Sequence, residues 1–231
     1  MAGLALIVFA GAVVLVGVYV LLPSFLEENA AQGIQNQFAL ESRPEVELER
    51  GLPLGMLAGR FPGGQVTMEG MEFGGVRAER VVLDLDPLDL DLPASILRGT
   101  IESQKPPSGT LRAEVPEEEI ERLTRTEADV RDVELKEDRV LVSSEASVLG
   151  FNVPVSVQGS LTLRGGALVF EPQRASALGT PVPEQLLAGA GFSYPLRGLP
   201  RGAEITGVEV AEGRLVLSGE MERIPMSRSI G

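Results

Sequence analysis

The fold is decided by the stretch VPVSVQGSLTL at residues 153–163. Every odd-numbered position in it is apolar or glycine, and every even-numbered position is proline or polar. A period of two is typical of a β-strand with one buried face and one solvated face. Eleven residues in this conformation extend about 36 Å, roughly twice the length of a common strand. The stretch therefore predicts one long strand, in which Pro154 indicates an edge position or a strand start.

Hairpins are predicted on both sides of this strand. Gly165 and Gly166 follow it and predict a two-residue turn into the apolar residues 168–170. Residues 130–142 align without a gap with residues 205–217, and both stretches have the pattern of strand, polar turn and strand. The chain is therefore expected to be mainly β.

Helices are expected to be few and short in this part of the chain. The segments Pro116–Leu123 and Pro183–Gly189 each begin with proline, which helix N-termini favour. Long strands with one apolar face and so few helices leave two architectures open. Either two sheets pack as a sandwich with a dry core, or a curved sheet leaves an apolar channel for a lipid chain. The pattern by itself favours the sandwich, because a dry core is the commoner use of such faces.

The N-terminus predicts a membrane anchor. Residues 3–22 form the uncharged run GLALIVFAGAVVLVGVYVLL, and twenty helical residues span about 30 Å, the thickness of a bilayer core. A cleaved signal peptide is the alternative, but no basic residue precedes the run and no clear cleavage site follows it. We expect an uncleaved anchor at 1–22, a juxtamembrane helix or stalk at 23–44, a β-rich domain at 45–224 and a flexible tail at 225–231. A short uncharged N-terminus before a large domain favours a single-pass protein of the cell membrane with an extracytoplasmic domain.

The composition excludes most catalytic chemistry. The 231 residues include no Cys, no His and no Trp. Thiol nucleophiles, histidine bases, disulfides and imidazole or thiolate metal sites are thereby removed. The net charge of −13 argues against a nucleic-acid partner, which requires a positive field. We therefore expect no enzymatic activity, no cofactor, no metal and no nucleic acid, while the sequence names no protein partner.

One acidic cluster is the strongest rival to this view. It consists of Asp84, Asp86, Asp89 and Asp91. A bend at Pro87 would bring these side chains together as a calcium site, or leave one pair as the general acid and base of a glycosidase. The alternative is a solvated strand face whose charges block edge-to-edge pairing. The solvated face is favoured, because the cluster lacks the glycine-punctuated loop of calcium sites.

Several motifs resemble those of one known family. They are GLPLGMLAGRF at 51–61, the stretch Gly109–Val115 leading to Ile120 and Leu123, and LPRGAEITGVEV at 199–210 followed by EGRLVL at 212–217. Their order and spacing resemble the LmeA-like family of bacterial cell-envelope phospholipid-binding proteins, over about residues 45–222. The resemblance implies a phospholipid ligand and a role in envelope lipid or lipoglycan maturation or transport. It also implies an elongated, curved antiparallel sheet with a hydrophobic groove, similar to tubular lipid-binding domains, so the groove is now favoured over the sandwich.

A lipid-binding function would place acyl chains on the apolar strand face. The residues expected there are Val140, Val142, Val153, Val155, Val157, Leu161, Leu163, Leu215 and Leu217. Leu186 and Leu187 of the second predicted helix are expected to form a lid, and Arg60 and Arg112 are candidates for the headgroup phosphate. Ordinary core packing accounts for the same apolar residues. In that case the chain is a non-catalytic structural or interaction sandwich on a membrane stalk.

Overall fold

The structure is a computed structural model that describes residues 2–73, 75–98, 102–127, 130–148, 151–183, 187, 191–196, 199 and 202–223. The chain divides into two compact units. Unit 1 comprises Met1–Gly70, Val81–Leu111 and Met221–Gly231, and unit 2 comprises Met71–Arg80 and Arg112–Glu220. The chain passes from one unit to the other more than once, so neither unit is continuous in sequence.

Strands make up most of the described chain after residue 44. Up to residue 98, the elements are α1 (Ala2–Phe38), β1 (Glu45–Leu48), α2 (Pro53–Leu57), β2 (Arg60–Phe61), β3 (Gly64–Glu69), β4 (Glu72–Phe73), β5 (Val76–Arg77), β6 (Arg80–Leu85), β7 (Leu88–Asp89) and α3 (Leu92–Arg98). From residue 109 onward, they are β8 (Gly109–Pro116), α4 (Glu117–Glu127), β9 (Val130–Lys136), β10 (Arg139–Val148), β11 (Phe151–Arg164), β12 (Ala167–Ala177), β13 (Thr180–Pro181), β14 (Phe192–Pro195), β15 (Ala203–Ala211) and β16 (Arg214–Met221). A mainly β chain with short helices after α1 is thus confirmed, and α4 confirms the first predicted short helix. Most of the second, Pro183–Gly189, lies outside the described residues.

Unit 1 is built on α1 and on the antiparallel pair of β1 and β3. Val46 lies opposite Val66, both are buried, and β6 adjoins β3 on its other side. The second half of α1 packs against β1 and α2. Leu26 on this half of the helix is fully buried, and Ile34 is nearly so. Within the segment 23–44, for which a juxtamembrane helix or stalk was expected, the helical residues up to Phe38 therefore contribute to the core of unit 1.

The helix α1 continues through Pro23 without a break. Proline supplies no N–H to the helix and is generally avoided in helix interiors. The hydroxyl of the next residue, Ser24, donates to the carbonyl of Val20 at 3.2 Å, within the same helix.

Among the residues whose side chains are described, no helix has the length and apolar character needed to cross a membrane. The transmembrane anchor at 1–22 stays a prediction.

Unit 2 contains the long strand that the sequence predicted. β11 lies inside a sheet of order β13-β12-β11-β10-β9, in which β14 also pairs with β12. Gly165 and Gly166 join β11 to β12 with φ angles of 58° and 76°, as a two-residue type I′ turn requires. Of the two positions expected from Pro154, the edge is wrong, since β11 has neighbours on both sides. The strand start is nearer to the structure, because Pro154 is the fourth residue of β11 and the pairing with β12 begins one residue later, at Val155.

The two hairpins that align in sequence meet as a pair in unit 2. They are β9–β10 and β15–β16, and residues 138 and 213 occupy equivalent turn positions in the alignment. The backbone N–H of Asp138 donates to the carbonyl of Val210 at 3.0 Å. The backbone N–H of Gly213 donates to the carbonyl of Leu135, also at 3.0 Å. Because Leu135 and Val210 are equivalent as well, the two bonds are reciprocal, and the hairpins form a pseudo-two-fold pair.

Gly159 in the middle of β11 provides a test of how closely this sheet is packed. A Cβ atom there would lie 2.4 Å from the carbonyl oxygen of Glu171 and 2.6 Å from the ring of Phe170. We predict that Gly159→Ala lowers the free energy of unfolding by about 1–3 kcal/mol, as overpacked sites do. The measurement is the urea denaturation midpoint.

Gly207→Ala is the matched control, since Gly207 also lies inside a strand. A Cβ atom there would lie 3.7 Å from the Cβ of Ser218, an ordinary contact distance. We expect an unchanged midpoint, or a gain of about 0.5 kcal/mol from the lower backbone entropy of the unfolded chain. Equal midpoints for both variants would contradict the close contact of the Phe170 ring with β11.

Candidate apolar ligand cavity

Unit 2 contains an apolar cavity of about 140 Å³ that is partly open to solvent. Strands of the β11 sheet, the hairpin β15–β16 and the helix α4 all contribute to its wall. The lining side chains are Val76, Val115, Ile120, Leu123, Thr124, Val130, Val133, Val140, Val142, Leu161, Leu168, Phe192, Tyr194, Leu196, Leu215 and Leu217. Only Thr124 and Tyr194 carry a polar group among these side chains. The cavity is therefore suited to a hydrocarbon ligand, because a polar group would lose its hydrogen bonds with water there.

The strand register places one face of the β11 sheet on the cavity. Residues directly opposite in an antiparallel ladder have side chains on the same face. Val142 of β10 lies opposite Val133 of β9, and both line the cavity. Leu168 of β12 lies opposite Tyr194 of β14, and these two line it as well. The cavity wall therefore results from strand pairing, which aligns the apolar residues of neighbouring strands on one face of the sheet.

The pseudo-two-fold pair supplies equivalent side chains to the same cavity. Val140 and Leu215 are equivalent in the alignment of the two hairpins, and so are Val142 and Leu217. All four line the cavity and are at most 7% exposed. The reciprocal hydrogen bonds at the hairpin turns therefore hold together two halves that build one cavity.

The structure brings together five of the residues proposed from sequence. These are Val140, Val142, Leu161, Leu215 and Leu217, which all line the cavity. Val157 is buried opposite Val142 but is outside the lining. A contact of any of these residues with lipid stays a prediction.

The other proposed residues lie away from the cavity wall. Val153, Val155 and Leu163 are half-buried on β11, and Leu187 is buried, but none of the four belongs to the lining. Leu186 lies outside the described residues. Of the two arginines proposed for the headgroup, Arg60 is on β2 of unit 1 and Arg112 is exposed on β8 of unit 2, and neither lines the cavity.

Two elements of the wall were not assigned to the lipid face from sequence, although the sequence predicted the first of them, α4, as a helix. The helix α4 contributes Ile120, Leu123 and Thr124, whose spacing of three and four residues indicates one helix face. The short strand β14 contributes Phe192 and Tyr194, two positions apart and therefore on the same strand face. Phe192 also stacks on Phe170 with 5.1 Å between ring centroids. Both signals were present in the sequence, but each covers only a few residues.

The polar face of α4 is tied to neighbouring elements by charged hydrogen bonds. The Glu119 carboxylate accepts the backbone N–H of Arg77 at 2.8 Å and the side chain of Arg122 at 2.6 and 2.9 Å. Arg122 also donates to the carbonyl of Gly75 at 2.7 Å. The Glu117 carboxylate accepts the backbone N–H of Leu135 on β9. These contacts hold α4 between the β4–β5 hairpin and β9, with its apolar face toward the cavity.

The contacts of the Glu119 carboxyl change its pKa. Its hydrogen bond with Arg122 lowers the pKa below the ordinary value of 4.5, and burial opposes this effect. The same pairing raises the pKa of Arg122. Both groups are therefore charged at neutral pH, and the ion pair contributes to holding α4.

Three carboxylates of the acidic cluster are hydrogen-bonded to neighbouring groups within the fold. The Asp84 carboxylate accepts the side-chain amide of Gln65 at 2.7 Å, and that of Asp86 accepts the Ser108 hydroxyl at 2.6 Å. The Asp91 carboxylate accepts the backbone N–H of Ala94 in the first turn of α3, as helix-capping residues do. Within the part of the chain that the structure describes, no three acidic side chains are grouped closely enough to hold a metal ion. These contacts are compatible with the solvated strand face that the sequence favoured.

The fold and the cavity first define a class: a mainly β protein with an apolar cavity between strands and one helix. The sequence profile of the LmeA-like phospholipid-binding family matches residues 17–220. The chain belongs to this family, which confirms the resemblance noted in the sequence and supports phospholipid as the ligand. The family is described by lipid binding, with no reaction named. No curated protein and no solved structure matches the chain.

The Glu119–Arg122 pair gives a pH-dependent prediction. A carboxyl whose pKa is lowered on folding stabilises the fold above its unfolded pKa, and this contribution is lost as the pH falls through the folded pKa. We predict that Glu119→Gln lowers the free energy of unfolding at pH 7 by about 1 kcal/mol, a modest value because Arg122 is exposed to solvent. The difference from wild type should shrink below pH 4.5, the ordinary value for the group.

The measurement is a series of urea denaturation curves from neutral to acidic pH. Glu118→Gln is the matched control, since Glu118 is the preceding residue of α4 and is exposed. We expect it to leave the midpoint nearly unchanged over the whole range. A loss for Glu119→Gln that is equal at neutral and acidic pH would contradict an ionic role for the pair.

Proposed function

We propose that this protein is a membrane-anchored, extracytoplasmic phospholipid-binding protein that holds acyl-chain carbon in the cavity of unit 2. The observation that carries the proposal is the lining, which is apolar over nearly all of its side chains. Membership of a phospholipid-binding family supports the same ligand class. A role in the maturation or transport of envelope lipid or lipoglycan rests on that family alone and belongs to the proposal.

The cavity volume limits how much lipid it accepts. A dry apolar cavity of about 150 Å³ binds benzene, so a cavity of 140 Å³ has space for about six carbons of an acyl chain. At about 0.8 kcal/mol for each buried CH₂, six carbons contribute about 5 kcal/mol. By itself this corresponds to a dissociation constant between micromolar and millimolar, before the cost of association is included.

Tighter binding therefore requires contacts beyond the cavity. We propose that the remainder of the acyl chain lies along the exposed part of the β11 face. Val153, Val155 and Leu163 are on this face, and their side chains are half-buried, so part of their surface is open to a ligand. A ligand there would cover apolar surface that otherwise faces water. In this arrangement the cavity receives one end of a chain, and the open strand face receives the remainder.

The anchor is proposed from the sequence of the N-terminus. Residues 3–22 are uncharged and long enough to span a bilayer core as a helix. Residues 2–38 form one continuous helix, which is compatible with such a span. We propose that this helix holds both units at the extracytoplasmic face of the cell membrane, close to the pool of phospholipid.

A cavity-filling variant tests the lipid site. Thr124 lines the cavity, and its hydroxyl is directed to the carbonyls of Ile120 and Glu121 in its own helix, at 2.9 and 3.0 Å. A phenyl ring at this position has the size of the benzene that a cavity of about 150 Å³ accepts. We predict that Thr124→Phe reduces lipid retention at least tenfold, while the chain stays folded. The measurement is native mass spectrometry of the full-length chain purified from cells, with phosphatidylglycerol added in a titration.

The control places the same ring outside the cavity. Thr180 is exposed on β13 of unit 2, so Thr180→Phe should retain lipid as the wild type does. Equal retention by both variants would contradict the cavity as the lipid site. A wild-type chain that carries no lipid and takes up none would instead favour the structural or interaction function.

A second experiment tests the anchor. We predict that replacing Val13 and Val14 together by arginine releases the full-length chain from membranes at alkaline pH. Each charge at the centre of a spanning helix costs about 2.5–3.5 kcal/mol. The control replaces Asn36 and Gln37 by arginine, because both are exposed and lie after the apolar run. Membrane retention of the Val13 and Val14 variant would contradict a transmembrane anchor.

A further inference from the structure

Unit 1 presents an uncharged loop with unusually exposed leucines. We define the leucine loop as residues 51–59, GLPLGMLAG, which include α2. Leu52 and Leu54 are 81% and 74% exposed, and Leu57 is 47% exposed. Met56 of the same loop is fully buried. The loop is thus fixed on unit 1 by one side chain, while its leucines face outward, an arrangement that marks an interaction surface.

The charges around the leucine loop favour a lipid surface as its partner. The loop contains no charged residue, but Arg50 and Arg60 flank it directly, and both are exposed. Leucine side chains suit the acyl region of a bilayer, and arginine side chains suit the phosphates above it. This order of groups matches the layers of a membrane interface.

The leucine loop also adjoins the end of the apolar N-terminal run. α2 packs against α1, and α1 has Val16, Val20 and Leu21 exposed. The guanidinium carbon of Arg50 lies 5.7 Å from the centroid of the Tyr19 ring. Tyrosine and arginine are typical of the boundary between a bilayer and water. The exposed apolar side chains of α1 and of the leucine loop are therefore close to Tyr19 and Arg50, a pair of the type found at the surface of a bilayer.

We propose that the leucine loop docks into the interface of the bilayer in which α1 is anchored. Leu52, Leu54 and Leu57 enter the acyl boundary, and Arg50 and Arg60 contact lipid phosphates. The proposal rests on the proposed anchor, but it adds a second contact with the membrane that the anchor alone does not require. Because α1 is part of unit 1, the contact would fix the tilt of α1 and unit 1 together relative to the bilayer.

Tryptophan probes test this docking without background, because the chain has no tryptophan. Leu54→Trp places a probe in the leucine loop, and Leu178→Trp places one in unit 2 at the same exposure of 74%. Each full-length variant is reconstituted into vesicles of phosphatidylcholine and phosphatidylglycerol. We expect a blue-shifted emission from Leu54→Trp that is quenched by acyl-brominated phosphatidylcholine. The emission of Leu178→Trp should be quenched by aqueous iodide instead.

The outcomes separate the docking from the other proposals. Iodide quenching of Leu54→Trp as strong as that of Leu178→Trp overturns the docking. Protection from both quenchers also overturns it, since a second copy or another protein then covers the loop. Chains that do not float with the vesicles overturn the anchor and the docking together. Lipid retention, read separately by native mass spectrometry, reports on the cavity in every case.

An arginine variant tests the phosphate contacts. Replacing Arg50 and Arg60 by glutamine in the Leu54→Trp chain should reduce quenching by the brominated lipid. Replacing Arg139 and Arg174 of unit 2, both exposed, removes the same charge and should leave the quenching unchanged. Equal quenching in the two double variants overturns the role assigned to Arg50 and Arg60.

Discussion

The structure of unit 2 depends on covering one apolar face of a long antiparallel sheet. β11 has 14 residues, and its apolar positions all lie on one side of the sheet. Water cannot be left against so much hydrocarbon without a large loss of free energy. Within unit 2, this face is covered by the hairpin β15–β16 and by α4. The two hairpins that repeat in sequence are held to each other by reciprocal backbone hydrogen bonds, so the cover and the sheet are joined at a defined position.

The cover is incomplete, and the cavity is the consequence. At roughly 24 cal/mol per Å³, a closed and empty cavity of 140 Å³ costs about 3 kcal/mol, which is the upper value for this partly open one. That is a considerable fraction of the stability of an ordinary domain. A hydrocarbon ligand would recover this free energy, which links lipid binding to the stability of the fold. The charged contacts of Glu119 and Glu117 lie outside the cavity lining, so they hold α4 without adding polar groups to the cavity.

Unit 1 shows a different use of apolar residues. The second half of α1 supplies buried side chains, whereas the leucine loop exposes its leucines and buries Met56. Composition cannot distinguish these cases, because leucine and methionine are both apolar and lie within one short segment. The distinction arises from which side chain of α2 meets the core of unit 1. α1 runs continuously from Ala2 to Phe38 and so joins the predicted anchor to the residues that pack in unit 1.

The sequence by itself determined the long strand β11, the Gly165–Gly166 turn into β12, the two equivalent hairpins, the short helix α4 and the family. These features are local, since alternation, turn residues and motif spacing act through neighbours in the chain. The interior position of β11 was not predicted, because Pro154 marks only the end of its pairing with β12. Only the tertiary structure decided which apolar residues face the cavity. Val140 and Leu215 lie 75 residues apart, and Leu123 and Tyr194 belong to elements with no shared local pattern. Their meeting around one cavity depends on the packing of distant segments, a property that local periodicity does not encode.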